Sequence, residues 1–191
     1  MNLFSIFFKA ALSDNIVFLS FLALCPFIGM STDEDKSVGM GLAVTFVTVL
    51  ATCVTWPIYR FILEPLGLKF LQTLAFILVI ASLVQLVEFY LKKSAPALYN
   101  SMGIYLALIT TNCAILYVTL NNISREFDFI EAVVYAVGVA LGFLLALLLL
   151  AGIRRRIKTS PIPAFMKGTP VLFVCAALLS MAFMGFSGLV K

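Results

Sequence analysis

Six long stretches without a charged residue divide this sequence, and they constrain its fold more than any other feature. They are residues 15–32, 37–59, 70–87, 94–124, 132–153 and 168–190. A helix needs about 20 mostly apolar residues to cross the roughly 30 Å hydrocarbon core of a bilayer. The pattern therefore predicts an all-α polytopic membrane protein with six transmembrane helices, the first of which begins near Leu3.

The composition agrees with a membrane protein and excludes several soluble classes. Hydrophobic residues make up 63% of the 191 residues and charged residues only 12%, about half the share of a typical soluble domain. A core of this size cannot bury so much apolar surface, so part of it must face lipid. Histidine is absent, which excludes His-based acid–base catalysis and most zinc and copper sites.

The basic residues predict an orientation in the membrane. The first, third and fifth connections hold eight Lys and Arg residues, against four or five on the opposite side. The eight are Lys36, Lys92, Lys93, Arg154, Arg155, Arg156, Lys158 and Lys167. Because basic loops are retained in the cytoplasm, we expect these connections to be cytoplasmic and both termini to be outside. Residues 154–158 fit this role better than that of an anionic-lipid site.

The connections are too short to hold a soluble domain, so residues 1–191 are interpreted as a single integral membrane domain. Three predicted helices lie in about residues 1–95 and three in about 96–191. Halves with an odd number of spans insert in opposite orientations, as in the inverted repeats of many transporters. At an offset of 88 residues Ser13 matches Ser101, Ile16 matches Ile104 and Cys25 matches Cys113. We therefore expect two inverted three-helix repeats.

The two matched cysteines lie where helices are predicted to break. Cys25 is followed by Pro26, and proline disfavours helical backbone at the residue before it. Cys113 is preceded by the polar run Thr110-Thr111-Asn112. Broken backbone at membrane depth requires surrounding protein or a cavity. Two thiolates are too few for an iron–sulfur cluster. The residues thus leave open packing cysteines, a set completed by the chain's other two cysteines, or a half-site completed by a second chain.

Asp14 interrupts the first predicted span. An ionisable residue inside a membrane segment is by default a candidate for function. Asp14 can equally lie near the interface and pair with Lys9. We keep Asp14 as a candidate for an ion path.

Five motifs, in order along essentially the whole chain, resemble those of the A-subunit family of the Rnf complex. They are Leu24-Cys-Pro-Phe-Ile-Gly29, Gly39-Met-Gly-Leu-Ala43 with Thr45-Phe46, Leu74-Ala-Phe-Ile-Leu-Val-Ile-Ala81, Ile109-Thr-Thr-Asn-Cys-Ala114 and Ala182-Phe-Met-Gly-Phe-Ser-Gly-Leu-Val190. The E subunit of the sodium-pumping NADH:quinone reductase is a close sibling. The Cys-Pro-Phe stretch and the C-terminal run look more like the Rnf family.

The resemblance implies a function that composition does not. Rnf complexes pass electrons between reduced ferredoxin and NAD⁺ and couple this to Na⁺ or H⁺ movement across the prokaryotic cytoplasmic membrane. In that family the A subunit pairs, in opposite orientation, with the similar E subunit, and both assemble with the B, C, D and G subunits. The pair is thought to share one [2Fe–2S] cluster midway through the membrane, with two cysteines from each chain.

The matching motifs place the family's ligands at Cys25 and Cys113, whereas Cys53 and Cys175 lie outside them. The residues expected to shape the broken backbone and hydrogen-bond the sulfurs are Pro26, Thr110, Thr111 and Asn112. The resemblance implies that this chain is an electron-carrying subunit of a translocase and does not itself act on substrate. Two alternatives are a cofactor-free inverted-repeat secondary transporter with its site at the two breaks, and the equivalent subunit of a sodium-pumping reductase.

Overall fold

A computed structural model describes residues 3–13, 15–30, 34–66, 69–94, 106–159 and 168–185. Within these ranges every regular element is a helix and none is a strand, as the sequence predicts. The described α-helices of five or more residues are α1 (Leu3–Phe8), α2 (Ile16–Ser20), α3 (Leu24–Met30), α4 (Glu34–Ile58), α5 (Gln72–Ser94), α6 (Leu106–Thr110), α7 (Cys113–Ser124), α8 (Phe129–Lys158) and α9 (Thr169–Met184). A π-helical turn (Lys9–Ser13) extends α1, and another (Tyr59–Leu63) extends α4.

Three of the described helices are long and apolar enough to cross a membrane. They are Ser37–Leu63, Gln72–Phe89 and Phe129–Ile157, which correspond to the second, third and fifth predicted spans. The helix at the sixth predicted span, α9, is apolar but shorter, with 16 residues. The first and fourth predicted spans are divided into short helices. The six-span arrangement as a whole stays a prediction.

The core lies between α4 and α8. On α4 the buried side chains of Met40, Val44, Val47 and Ala51 recur every three or four residues, so they form one stripe along the helix. On α8 the buried side chains of Tyr135, Val139, Phe143 and Leu147 form a similar stripe. Glycines permit the close approach, since a Cβ on Gly41 would lie 2.8 Å from Cγ of Leu144.

The peripheral helix α5 leaves much of its apolar surface uncovered. Leu74, Leu78, Leu86 and Phe89 are all well exposed on it. An exposed apolar surface of this extent is typical of a helix that faces lipid or another protein chain. It agrees with the composition argument that apolar surface must remain outside the core.

Several contacts between the two halves of the chain occur in matching pairs. Helix α3 packs on α8, and α7 packs on α4. Helix α2 packs on α9, and α6 packs on α5. In the two repeats α3 corresponds to α7, α4 to α8, α2 to α6 and α5 to α9. Each contact in the first half of these pairs therefore has an equivalent contact in the second. This is the pattern expected of two repeats, whereas the opposite orientation of those repeats in a membrane stays a prediction.

Candidate functional site

The first helix break lies just before Cys25. Helix α2 ends at Ser20, and Phe21 (φ 50°, ψ 30°) and Ala23 (φ 61°) adopt the left-handed conformation, which is uncommon for residues other than glycine. The N–H groups of Phe21 and Leu22 both donate to the carbonyl oxygen of Ile16 and close the helix. The chain then re-enters helical geometry at Leu24.

The break precedes Cys25 rather than including it, which corrects the prediction drawn from Pro26. Cys25 and Pro26 are the second and third residues of α3. Proline is tolerated in the first turn of a helix because its missing N–H would have no intrahelical acceptor there. The side chain of Pro26 is buried, and that of Cys25 is exposed.

Side chains from neighbouring helices donate hydrogen bonds to backbone carbonyl groups on either side of the first break. The hydroxyl of Ser180 on α9 donates to the carbonyl oxygen of Phe18, whose ring also stacks on Phe183 with centroids 4.6 Å apart. At the far end of α3, the guanidinium of Arg154 donates to the carbonyl oxygen of Ile28 at 3.1 Å. Packed helices therefore cover one side of this irregular backbone, which the bilayer requires to be enclosed by protein.

Asn15 stabilises the start of α2. Its Oδ1 accepts from the N–H of Val17 at 3.2 Å, and its Nδ2 donates to the carbonyl oxygen of Gly142 on α8 at 3.0 Å. The candidate ion-path residue Asp14 lies outside the described residues, so its role stays a prediction.

The second break lies at Thr111 and Asn112, as the polar run predicts. Thr111 is in a turn after α6, and Asn112 is extended (φ −71°, ψ 112°). Oδ1 of Asn112 accepts from the N–H of Ala114 at 3.0 Å and caps α7. Cys113 is therefore the first residue of α7.

The two breaks meet. The backbone N–H of Ala23 donates to Sγ of Cys113, with 2.9 Å between nitrogen and sulfur, although the two residues are 90 positions apart in the chain. Cys25 lies two residues beyond Ala23. The structure thus brings together the two segments that carry the candidate ligands.

The other two cysteines lie elsewhere. Cys53 is inside α4 and Cys175 is inside α9, both half-buried and both within unbroken helix. Within the described part of the chain, no cluster of three or more Cys, His, Asp or Glu side chains has the geometry of a metal site. Of the four cysteines, only Cys113 directly contacts the first break within the described residues, and Cys25 follows two residues after the contacted Ala23.

Of the predicted neighbours of these thiols, Asn112 is the most informative. Its side chain is 5% exposed, and its Nδ2 has no hydrogen-bond acceptor among the described residues. A buried N–H donor without an acceptor is uncommon and indicates a missing partner. Thr110 is half-buried at the end of α6, and Thr111 is exposed beside it. A cluster sulfur next to Cys113 is a chemically suitable acceptor for the Asn112 amide.

Sequence reasoning missed Asn15 and Ala23. Asn15 was detectable, because a polar residue directly before an apolar run is a typical helix N-cap. Ala23 was not detectable, because it acts through its backbone N–H and the contact depends on a residue far along the chain.

Comparison with known proteins identifies relatives along nearly the whole chain. A family model described as "Rnf-Nqr subunit, membrane protein" matches residues 3–190. The A subunit of the Na⁺-translocating ferredoxin:NAD⁺ oxidoreductase complex of Acetobacterium woodii is 51% identical over 189 residues, which cover 99% of this chain and 98% of the relative. The A subunit of the ion-translocating oxidoreductase complex of Syntrophotalea carbinolica matches with the same identity and coverage. The protein of that name from Yersinia enterocolitica is 48% identical over 97% of this chain and 96% of its own length.

Proposed function

Because the chain belongs to the Rnf-Nqr family of membrane-protein subunits, we propose that it is the electron-transfer A subunit of an ion-translocating ferredoxin:NAD⁺ oxidoreductase. Its relatives at about 50% identity are named as A subunits of such complexes. The observation that carries the proposal is the contact between the Ala23 N–H and Sγ of Cys113, because it joins the two helix breaks that bear the candidate ligands.

Cys25 and Cys113 would hold half of a [2Fe–2S] cluster. When bound, such a cluster accepts and donates one electron at a time. The exposed thiol of Cys25 and the half-buried thiol of Cys113 supply two ligands. The Ala23 N–H already donates to Sγ of Cys113 and would still do so to a thiolate, where the bond becomes stronger because the acceptor is charged. Thiolates are costly in hydrocarbon unless a metal neutralises them, so we expect the chain to retain the cluster poorly without its partner.

A second, similar protein chain would supply the other two thiolates. The surface beside the first break is open to such a partner, since Leu19 is 48% exposed, Phe21 is 46% exposed and Cys25 is also exposed. Exposed apolar side chains around an incomplete ligand set are suited to an interface. We propose that the partner is the E subunit in opposite orientation, and that the B, C, D and G subunits complete the assembly. The matching contacts between the two halves of this chain support a repeat within it, and we propose that its two units are inverted.

The proposal is tested by iron quantification and low-temperature EPR on the co-purified pair of this chain and its E subunit. Cys113→Ser is the decisive variant. The same experiment separates the proposal from a cofactor-free transporter, which predicts no iron in either protein.

Replacement of Asn112 by aspartate separates the two roles of this side chain. Aspartate keeps an oxygen that caps α7, but it lacks the N–H donor and adds a negative charge. We expect the pair to keep its iron, while the reduction potential of the cluster becomes more negative. Asn112→Ala should in addition destabilise the chain by about 1 kcal/mol through loss of the cap. EPR-monitored redox titration gives the potential. An unchanged potential in Asn112→Asp would show that the amide does not face the cluster.

We also propose that the first, third and fifth connections face the cytoplasm of a prokaryotic cell, so that both termini are outside. The exposed arginines Arg155 and Arg156, at the cytoplasmic end of α8 in this orientation, support the assignment. Alkaline phosphatase fused after the last residue should be active in intact cells, and green fluorescent protein fused there should be dark. The reverse pattern would invert the topology.

A further inference from the structure

An open apolar groove lies on the surface between α8 and α9, and an arginine stands at one end of it. Its volume is about 480 Å³. The residues that line it include Leu148, Leu149, Gly152, Ile153 and Arg156 on α8 and Cys175 on α9. None of them belongs to the two helix breaks, so the groove is distinct from the site described above.

The spacing of residues along α8 explains the shape of the groove. Leu148, Gly152 and Arg156 recur every four residues, so they lie in one row along the helix. Gly152 leaves the middle of this row without a side chain, and no atom lies within 4 Å of a Cβ placed there. From Leu148 to Arg156 the row rises about 12 Å. The groove therefore has leucines at one end, an empty middle and a guanidinium at the other end.

The position of the groove on α8 places its two ends at different depths in a membrane. Residues Phe129–Ile157 of α8 form a stretch of 29 residues that is long and apolar enough to cross a membrane. Its length of about 43 Å exceeds the hydrocarbon core and reaches into the headgroup region. Arg156 is one residue from the end of this stretch, whereas Leu148 and Leu149, each 38% exposed, lie deeper. The leucines are therefore at the level of acyl chains and Arg156 at the level of headgroups.

The charge at the headgroup end is positive. Arg156 is exposed, and its guanidinium forms no hydrogen bond or ion pair within the described part of the chain. Among the described residues, no Asp or Glu lines the groove. Arg154, by contrast, is held by the protein through the carbonyl oxygen of Ile28. A free guanidinium at this level is suited to phosphate, which it can bind through two N–H groups at once.

We propose that this groove binds one anionic phospholipid, with the phosphate on Arg156 and an acyl chain along Leu148, Leu149 and Gly152. Charge complementarity selects the anionic class, because the cationic group of a zwitterionic headgroup opposes the attraction of its phosphate to Arg156. A lipid also covers the apolar walls, which free phosphate would leave uncovered. Basic sites between transmembrane helices bind anionic lipid headgroups in this way.

The proposed lipid site is compatible with the role of residues 154–158 in orientation. Orientation depends on the number of basic residues in a connection, whereas the groove depends on the position of a single one, Arg156. The inference is independent of the cluster at Cys25 and Cys113 and of which side of the membrane α8 ends on.

Photo-crosslinking in the intact complex tests the site. The complex is reconstituted in phosphatidylcholine vesicles with a trace of phosphatidylglycerol that carries a photoreactive acyl chain, and mass spectrometry locates the labelled residues. Phosphatidylcholine with the same photoreactive chain is the reference. We expect phosphatidylglycerol to label the segment from Leu148 to Gly152 several-fold more strongly, and unlabelled phosphatidylglycerol to compete. Leu74 and Leu78, exposed on α5, are the internal control and should not distinguish the two lipids.

Three variants connect the labelling to the groove. Arg156→Gln should make labelling equal for the two lipids. Arg155→Gln removes the same charge from an exposed neighbour outside the described lining, so it should keep the preference. Gly152→Phe fills the middle of the groove and should lower labelling at Leu148 by both lipids. The subunit composition of each purified variant confirms that the complex has assembled.

Three results would overturn the proposal. Equal labelling by the two lipids in the wild type would mean that the groove contacts bulk lipid only. Absence of labelling in the groove would mean that protein covers it. An equal loss of preference in Arg155→Gln and Arg156→Gln would assign the effect to the general charge of this surface.

Discussion

Replacement of Cys113 by serine is expected to remove the iron from the pair formed by this chain and its E subunit. Serine keeps the size of the side chain but does not supply the thiolate that an iron–sulfur cluster requires. Iron should fall from about two atoms per pair to near zero, and the EPR signal of the reduced cluster should disappear. Electron transfer through the complex should fall by at least about 100-fold. Loss of a residue that only hydrogen-bonds a metal ligand can already lower activity by about that factor, and loss of a ligand should cost at least as much.

Cys53→Ser is the matched control for this experiment. Cys53 is half-buried like Cys113, but it lies inside unbroken α4. The variant should keep its iron, its EPR signal and its activity. If Cys113→Ser retained iron, or if the wild-type pair contained none while properly assembled, Cys25 and Cys113 would be packing residues and the transporter hypothesis would become the better account.

Replacement of Gly142 by alanine is expected to destabilise the protein. A Cβ at Gly142 would lie 2.8 Å from the carbonyl oxygen of Ala11, a backbone atom that cannot rotate away. Forced separation of the helices would also strain the hydrogen bond from Asn15 to the carbonyl oxygen of Gly142. Overpacking of this kind costs about 1–3 kcal/mol and the hydrogen bond contributes about 1 kcal/mol. The better helix propensity of alanine offsets about 1 kcal/mol, so the net loss should be about 2 kcal/mol.

Gly152→Ala supplies the comparison on the same helix. No atom lies within 4 Å of a Cβ placed there, so the variant should be neutral or stabilised by up to about 1 kcal/mol. Unfolding of the purified pair in mixed micelles with increasing denaturing detergent, followed by circular dichroism, measures both variants. A Gly142→Ala variant as stable as Gly152→Ala would show that α1 and α8 do not pack as closely as described.

Local patterns were sufficient to predict the three described helices that are long and apolar enough to cross a membrane. The unbroken apolar stretches that contain α4, α5 and α8 are each recognisable within the segment itself, because insertion in lipid depends on the hydrophobicity of about 20 consecutive residues. The break before Cys113 was equally local, since a polar run interrupts an apolar segment and Asn112 is a natural helix cap. Identification of Cys25 and Cys113 as the pair that matters depended on the motifs around them, which resemble a family.

Only the tertiary structure decided how these segments meet. The exact position of the first break depends on Phe21 and Ala23, two residue types that give no signal for left-handed backbone. The bonds from Ala23 to Cys113 and from Asn15 to Gly142 join groups 90 and 127 residues apart. Each bond involves a backbone N–H or carbonyl group. Because nearly all residue types have both groups, the residue type gives no signal that such a bond will form. The sequence by itself therefore determined the three long apolar helices and the break before Cys113, and it supplied the candidate ligands as a prediction. The position of the first break, the approach of the two breaks and the unpartnered amides of Asn112 and Asn122 arise from packing between distant parts of the chain.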